Sequence, residues 1–566
     1  MILTIASWCW IGLAAFVCGF SALQIFDKGK CTINRGMDVY ILMGLCVLTV
    51  YAQIFSLFYK VGGVATFILM AVVFLLVIIF RKNLWNCFKD NIKKLRPVQY
   101  ILLVFVLALV LVLTLQYAAH VDTDLYHAQS IRWIEEFGIV KGLGNLHSRF
   151  AYNSAFFSLQ ALFSLKFAVR QSLNTVNGFI TSVMLVYAFL SLNPLVGKRM
   201  KTSDLFKICL IYYLWLTDTR YVISSPGSDL PALSLALYLC AKWSEYMESK
   251  DKEGTDYGIL CLLAVWALTI KLSVAMMTLF ALYPAVEFLR KRQWKQIVLF
   301  LVFGIMIIVP FLSRNVIISG YLVYPSAAID IFDVDWKMPI SMVIDDSTEI
   351  SAWGKGLTSR EHYLDPISVW FPQWYRNLSL VNQFLFCVNI CGLFWALIYF
   401  FRCAVKRKEA IRCNLLFTSI AGLLMWFFSA PLIRYGSIYM LFLPAIICGF
   451  LVERFLYEKV ATICVVLLIM GSILFEARFA AHYGMMPLKR PNGYYWGVVT
   501  SGELGGYTFY LPVKEYTYNG YFYFPATPHS FILERLELRT GKLEGGFRVR
   551  EEYQGMWMRT DGIISE

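Results

Sequence analysis

The sequence predicts an α-helical polytopic membrane protein, and three observations predict it. Of the 566 residues, 59% are hydrophobic and only 16% charged, with a mean hydropathy of +0.61, which excludes an ordinary soluble globule. Apolar runs of the about 20 residues needed to cross a hydrocarbon core about 30 Å thick recur along the whole chain. The Lys and Arg residues behind a net charge of +14 gather in alternate connections between those runs, the pattern of short loops on the cytoplasmic side.

The runs fall at 3–24, 37–57, 61–80, 98–118, 172–193, 205–222, 229–247, 257–289, 295–318, 379–401, 413–429, 435–452 and 460–476. Counting 257–289 as two short passes gives about 14 transmembrane helices. The first run has neither a cationic start nor a small-residue cleavage site, so it reads as a retained helix and not a signal peptide. The basic connections are Lys28, Lys30 and Arg35; Arg81 to Arg96; Lys198, Arg199 and Lys201; Arg290 to Lys295; and Arg402 to Arg412. Placing all of them inside puts both chain termini outside. The positive excess is therefore topological and implies no nucleic-acid partner. All 14 cysteines, among them Cys9, Cys46, Cys87, Cys403 and Cys464, lie in predicted membrane helices or inner loops, as reduced structural thiols should. No spacing of Cys and His suggests zinc.

The expected organisation is 1–118, N-terminal transmembrane helices; 119–171, a first large outer loop; 172–318, transmembrane helices; 319–375, a second outer segment rich in Asp, Trp and Pro; 376–479, transmembrane helices; and 480–566, an outer C-terminal domain. The last contains YTFYLPV, YFYFP and FILERLELR between Gly and Pro punctuation, so a small mixed α/β appendage packed on the membrane part is expected. In the first outer loop, LYHAQSIRWIEEFG has Ala128, Ile131 and Ile134 at helical spacing, with Gln129, Arg132 and Glu136 on another face and Gly138 as a stop. It is too short to span and reads as a helix along the membrane surface. AYNSAFFSLQALFSLKFAVR suits a second such helix.

Titratable chemistry concentrates where the 98–118 run emerges, in HVDTDLYH at 120–127. Asp122 and Asp124, two apart, share one face in extended backbone, about 7 Å apart along the chain. If Asp124 begins the surface helix, His127 lies one turn on. NLHSRFAYNS then supplies Asn145, His147, Arg149 and Asn153. Each has an ordinary alternative: Asp124 as a helix N-cap, Asp122 as a solvated residue after a helix, the histidines as satisfied packing. Together, carboxylates, imidazoles and amides at one membrane face suit a hydroxyl-rich substrate, and a partly dry carboxylate can take the proton of an attacking hydroxyl. Ionisable groups in or beside membrane segments are functional candidates: Arg434 in SAPLIRYGS, Arg314 in LSRN, Lys271 inside an apolar run, and Asp229 in SSPGSDLPA. The alternatives are snorkelling for the cations and helix capping for Asp229. Trp353, Trp370, Trp374 and Tyr375 could stack on sugar rings.

Many passes, an acidic pair in a long outer loop, surface helices and a trailing outer domain together resemble the GT-C superfamily of membrane glycosyltransferases. More narrowly, DTDLYHAQSIRWIEEFGIVKGLGNLHSRFAYNS, SSPGSDLPA, SAPLIRYGSIY and LELRTGKLEGGF resemble a poorly characterised family of bacterial envelope proteins placed with surface-polysaccharide synthesis. The resemblance implies a polyprenyl-phosphate sugar donor, a glycan or lipid-linked acceptor, a site on the outer side of the bacterial cytoplasmic membrane, and an acidic residue of the first large outer loop as base or metal ligand, carried here to Asp122 and Asp124. A divalent metal, Mg or Mn, at those two residues is an option it leaves open. In the superfamily the acidic loop follows the first membrane helix, whereas here it follows the fourth. With no phosphate-cradling Gly loop in the chain, activated sugar should arrive on lipid. Substrate contacts are expected from His127, His147, Arg149, Asn153 and Asp229, and donor phosphate contacts from Arg434, Arg314 and Lys271. Two other readings remain: a polymerase or ligase acting on lipid-linked oligosaccharides, and a lipid or solute transporter, which predicts midplane charges and paired broken helices.

Overall fold

The computed structural model describes all residues except 28–34, 119, 250–251, 358, 360–361, 406–408, 484–493, 495–497, 514–519 and 555–566. Among the described residues, nine helices are long and apolar enough to cross a membrane: Ile2–Phe26, Met37–Phe58, Gly63–Lys93, Pro97–Thr114, Leu272–Arg290, Trp294–Ser319, Leu380–Arg402, Ala410–Ser429 and Glu458–Phe479. Val176–Leu190 and Gly254–Ile270 are shorter apolar helices. Large apolar side chains such as Phe74, Leu301, Phe394 and Phe401 are exposed on these helices, a surface that only lipid satisfies over such an extent. This is a multi-pass helical membrane protein.

Local sequence explains the boundaries. Helix Gly63–Lys93 outruns its apolar segment because the basic stretch after Phe80 also favours helix; it ends before Pro97, which starts the next helix at its first position. The first two helices approach closely at Gly19 and Gly44, where any side chain would strike the backbone of Tyr40 or Ala15, the small-residue contact favoured between membrane helices. The run 257–289 divides at Lys271, whose extended backbone ends helix Gly254–Ile270. Tyr257 then packs on Tyr283 with ring centroids 5.1 Å apart, so the chain doubles back there.

The connections collect at two ends of the bundle. At one end, Arg35 pairs with Asp27 and Asp256, Arg96 Nη2 donates to the Val196 carbonyl at 3.0 Å, and Lys242 joins Asp38 and Glu245. This is the end of the basic loops; Lys28, Lys30, Lys406 and Arg407 lie outside the described residues. The HVDTDLYH motif occupies the opposite end.

The first large loop differs from expectation in burial. Helix Ala128–Phe137 stops at Gly138 (φ +79°), where a Cβ would lie 2.7 Å from the Ser56 and Tyr59 carbonyl oxygens. Its polar face meets the C-terminal region instead of solvent: Gln129 Nε2 donates to the Gly520 and Tyr523 carbonyls, both at 2.7 Å, and Arg132 Nη1 to those of Tyr521 and Phe522. Helix Ala155–Phe163 is buried at all nine positions, so it is an interior helix and not a surface one. Amphipathicity alone does not distinguish a lipid surface from a protein cover, because both remove the same apolar face from water.

The C-terminal region is mixed α/β, with antiparallel hairpins Val499–Leu504/Tyr507–Pro512 and Leu536–Leu538/Phe547–Val549 and helix Ser530–Arg535. YTFYLPV forms a strand, FILERLELR divides into helix and strand, and YFYFP forms neither. The Phe547 amide donates to the Lys141 carbonyl at 2.9 Å, and Phe524 packs on Trp133. The appendage is thus bonded directly to the loop that carries the motif.

Candidate functional site

The motif is helical, which changes its geometry. Backbone from residue 121 to Phe137 is continuously helical, with a π turn over Thr123–His127, a local widening common at functional sites. On helical backbone, residues two apart point to roughly opposite sides, so the extended-backbone expectation of a shared face for Asp122 and Asp124 is not met. The two carboxylates enter different surroundings.

Asp122 is 6% exposed and its Oδ2 accepts from Arg434 Nη2 at 2.9 Å. Arg434 Nε lies 3.4 Å from Asp229 Oδ2, and Asp229 Oδ1 accepts from Lys271 Nζ. The four residues form an alternating chain of acid and cation. Tyr435 backs both cations, with Lys271 Nζ 4.6 Å and the Arg434 guanidinium 5.3 Å from its ring centre. Each member comes from a helix end or break: Asp122 from the first turn of the helical stretch that follows Pro97–Thr114, Asp229 from the first position of Asp229–Glu248, Lys271 from the break after Gly254–Ile270, and Arg434 from the short turn Ile433–Gly436. Trp374 holds that turn by donating Nε1 to the Pro431 carbonyl at 2.9 Å; Trp426 does the same to Leu432.

The electrostatics follow. Burial pushes the Asp122 carboxyl up, but Arg434 foremost, with His127 and His120, pulls it below the usual carboxylate range. Burial lowers His127 to about 3 and also lowers His120. Their rings stack 5.8 Å apart. The His120 Nδ1 accepts from the Asp122 amide at 3.1 Å, and the His120 amide donates to Ser225 Oγ. Asn177 Nδ2 donates to the Gly227 carbonyl at 3.0 Å, holding the SSPGSDLPA loop against His127. Arg434 is the open part of the site: its side chain is 41% exposed, that of Asp122 8%, and those of Lys271 and Asp229 20% and 21%.

Asp124 stands apart. Burial alone raises its carboxyl to about 7, its Oδ1 has no hydrogen-bond partner among the described residues, and its carbonyl accepts from the Gly520 amide at 3.1 Å. A divalent metal does not fit this arrangement. The two carboxylates do not converge, a guanidinium already occupies Asp122, and no group of three His, Cys, Asp or Glu side chains able to hold a metal occurs among the described residues.

The remaining residues divide between two neighbouring clusters. Arg149 lies over the ring of Trp353 at 5.3 Å and interacts with Asp346 of the same helix, Ile340–Gly354, which accepts from the Tyr324 hydroxyl at 3.0 Å. Trp353 is 39% exposed whereas Trp370 and Trp374 are buried, so of these three tryptophans only Trp353 reaches the surface. His147 accepts from the Arg149 amide and caps the turn Ser148–Tyr152. Asn145 donates to the Trp336 carbonyl. Asn153 and Arg314 form a separate buried pair, 3.0 Å apart, and do not join the Asp122 cluster. His120 and Tyr435 were not singled out by the sequence pattern, although His120 belongs to the motif and Tyr435 follows Arg434 directly.

A family model described as Domain of unknown function (DUF8201) matches residues 1–441. The chain belongs to the DUF8201 family. The DUF8201 region contains Asp122, Asp229, Lys271 and Arg434 together, and it stops before the C-terminal appendage. No curated protein and no solved structure matches the chain.

Proposed function

We propose that this DUF8201 protein is an inverting GT-C-type glycosyltransferase of about 14 passes in the bacterial cytoplasmic membrane. It moves a sugar from a polyprenyl-phosphate donor to an extracytoplasmic glycan or lipid acceptor in cell-surface polysaccharide synthesis. The observation that carries this reading is the half-open guanidinium of Arg434, held between Asp122 and Asp229 with Lys271 behind it, at one end of the membrane helices. An accessible guanidinium at that end, backed by a second cation, suits a phosphate attached to a lipid. The basic loops at the other end support an extracytoplasmic orientation of the site, where nucleotide sugars are absent and lipid carries the activated sugar.

The chemistry assigns roles. The acceptor hydroxyl attacks the anomeric carbon, the bond from that carbon to the phosphate oxygen breaks, and polyprenyl phosphate leaves with the electron pair. Arg434 and Lys271 stabilise the charge that develops on it. The hydroxyl proton goes to Asp122, which lies beside the place where the phosphate binds. A donor phosphate competes with Asp122 for Arg434; with that partner diverted, burial becomes the dominant influence on the carboxylate and its basicity rises. Substrate binding thereby makes the base. Asp229, tied to both cations, keeps them in place.

The test uses the detergent-purified full chain with a polyprenyl-phosphate sugar and an acceptor. Product forms with no second compartment, which a transporter reading does not allow. Asp122→Asn lowers turnover by about 100-fold or more, the scale of a lost general base, while Asp124→Asn stays within about tenfold. Full activity in Asp122→Asn overturns the assignment.

A further inference from the structure

Arg314 presents a problem in electrostatics that its neighbours do not solve. It lies in helix Trp294–Ser319, is 2% exposed, and its hydrogen-bond partners are neutral. Nε donates to Asn153 Oδ1 at 3.0 Å and Nη1 donates to Ser56 Oγ. The Asn153 amide is spent on the Phe311 carbonyl and on Asn315 Oδ1. Among the described residues no carboxylate pairs with this guanidinium, unlike Arg35, equally buried, which holds two. An unpaired buried charge is among the most costly features a protein can keep, and natural structures provide a counter-charge.

The space for one is present. Arg314, Ser130, Asn153, Ser154, Phe157 and Ile318 line a single cavity that admits a water-sized guest. Ser130 is 7% exposed and its hydroxyl has no hydrogen-bond partner among the described residues. Ser154 caps the nine-residue helix Ala155–Phe163, so the positive end of that helix also faces this region. A guanidinium, a free hydroxyl donor and a helix N-terminus around a small, largely apolar cavity all favour negative charge. The size excludes a lipid phosphate.

We infer that the cavity binds a monatomic anion, chloride, as the counter-ion of Arg314. Arg314 itself bonds Ser56 of helix Met37–Phe58 and Asn153 of the first outer loop, so an ion held between Arg314 and Ser130 ties these elements together. It is separate from the Asp122 cluster, and the inference stands whether or not the chain transfers sugar.

The experiment measures the thermal midpoint of the detergent-purified full chain in sodium chloride, sodium bromide and sodium gluconate at matched ionic strength. Chloride and bromide raise the midpoint saturably by a few degrees over gluconate, as a ligand of the folded state does. Arg314→Gln removes the need for a counter-charge: its midpoint no longer depends on the anion, and in gluconate it equals or exceeds that of the wild type. Ser130→Ala, a milder change, moves the halide half-saturation upward at least about threefold by removing one donor. Equal wild-type midpoints in chloride and gluconate overturn the inference, as does a halide dependence that survives in Arg314→Gln or is unchanged in Ser130→Ala.

Discussion

The two ends of the helix bundle use the same kinds of residue to opposite effect. At the basic-loop end, Lys242 pairs with Asp38 and Glu245, both at 2.9 Å, and Glu245 also holds Lys207 at 3.0 Å. Tyr238 donates to Asp38 at 2.7 Å. The Lys207 side chain is 1% exposed. Each charge of this network is matched inside the protein, and the network ties the helices together. At the motif end the chain of acid and cation runs through Arg434, 41% exposed, which reaches Asp122 through one nitrogen at 2.9 Å and Asp229 through another at 3.4 Å. Saturated charges hold helices together; a cation with unused donors is available to a ligand. Exposure separates these two uses, and residue type does not.

The largest effect is expected from breaking the closed end. Glu245→Gln strands Lys207 and Lys242 with fewer counter-charges in a buried setting, and stability falls by about 3–5 kcal/mol, the scale of a buried pair losing one member. Denaturant unfolding of the purified protein reads it. A loss under about 1 kcal/mol would place this network with exposed ion pairs and erase the contrast.

At the open end the expected signature is a change in pH dependence. In the wild type the Asp122 carboxyl is depressed, so its contribution to stability is present above the ordinary carboxylate value and is lost as the pH falls through its lower folded value. Arg434→Gln removes the cation that depresses it and leaves burial to raise it. The variant is then less stable than wild type by about 2 kcal/mol at neutral pH, and the deficit shrinks as acid protonates Asp122. A deficit that stays constant between pH 4 and 8 refutes the pairing.

The smallest effect sharpens the comparison inside the motif. Asp124 is raised to about 7 by burial, so holding it charged destabilises the fold increasingly as the pH rises from the unfolded value towards 7. Asp124→Asn removes that cost. Its melting temperature matches the wild type near pH 4 and exceeds it by a degree or two at pH 8. Lower stability than wild type at pH 8 would show that Asp124 is charge-paired like Asp122.

Much of the architecture was legible because membrane-spanning helices announce themselves locally. An apolar run satisfies its own backbone as a helix, and each run carries that information within about 20 residues. The kink at Lys271 was readable as an ion in an apolar run, and the stop at Gly138 as a glycine after a periodic segment. The burial of Ala155–Phe163 was not readable, since an apolar helix of that length suits a membrane surface and a protein interior equally. The site was legible as residue types at one face, but its internal division was not: the sequence grouped Asn153 and Arg314 with Asp122, and separation by the π turn of Thr123–His127 sets Asp124 aside.

By itself the sequence determined that this chain is a bundle of membrane helices with its basic loops at one end and a cluster of acids, imidazoles and cations at the other. Hydropathy and charge act residue by residue, so those features need no partner to be read. Only the tertiary structure decided that Arg434 meets Asp122 from 312 positions away, that Lys271 meets Asp229, and that Arg314 meets no acid among the described residues. The pull between two charges depends on the distance and the medium between them, and the packing of helices from distant parts of the chain sets both.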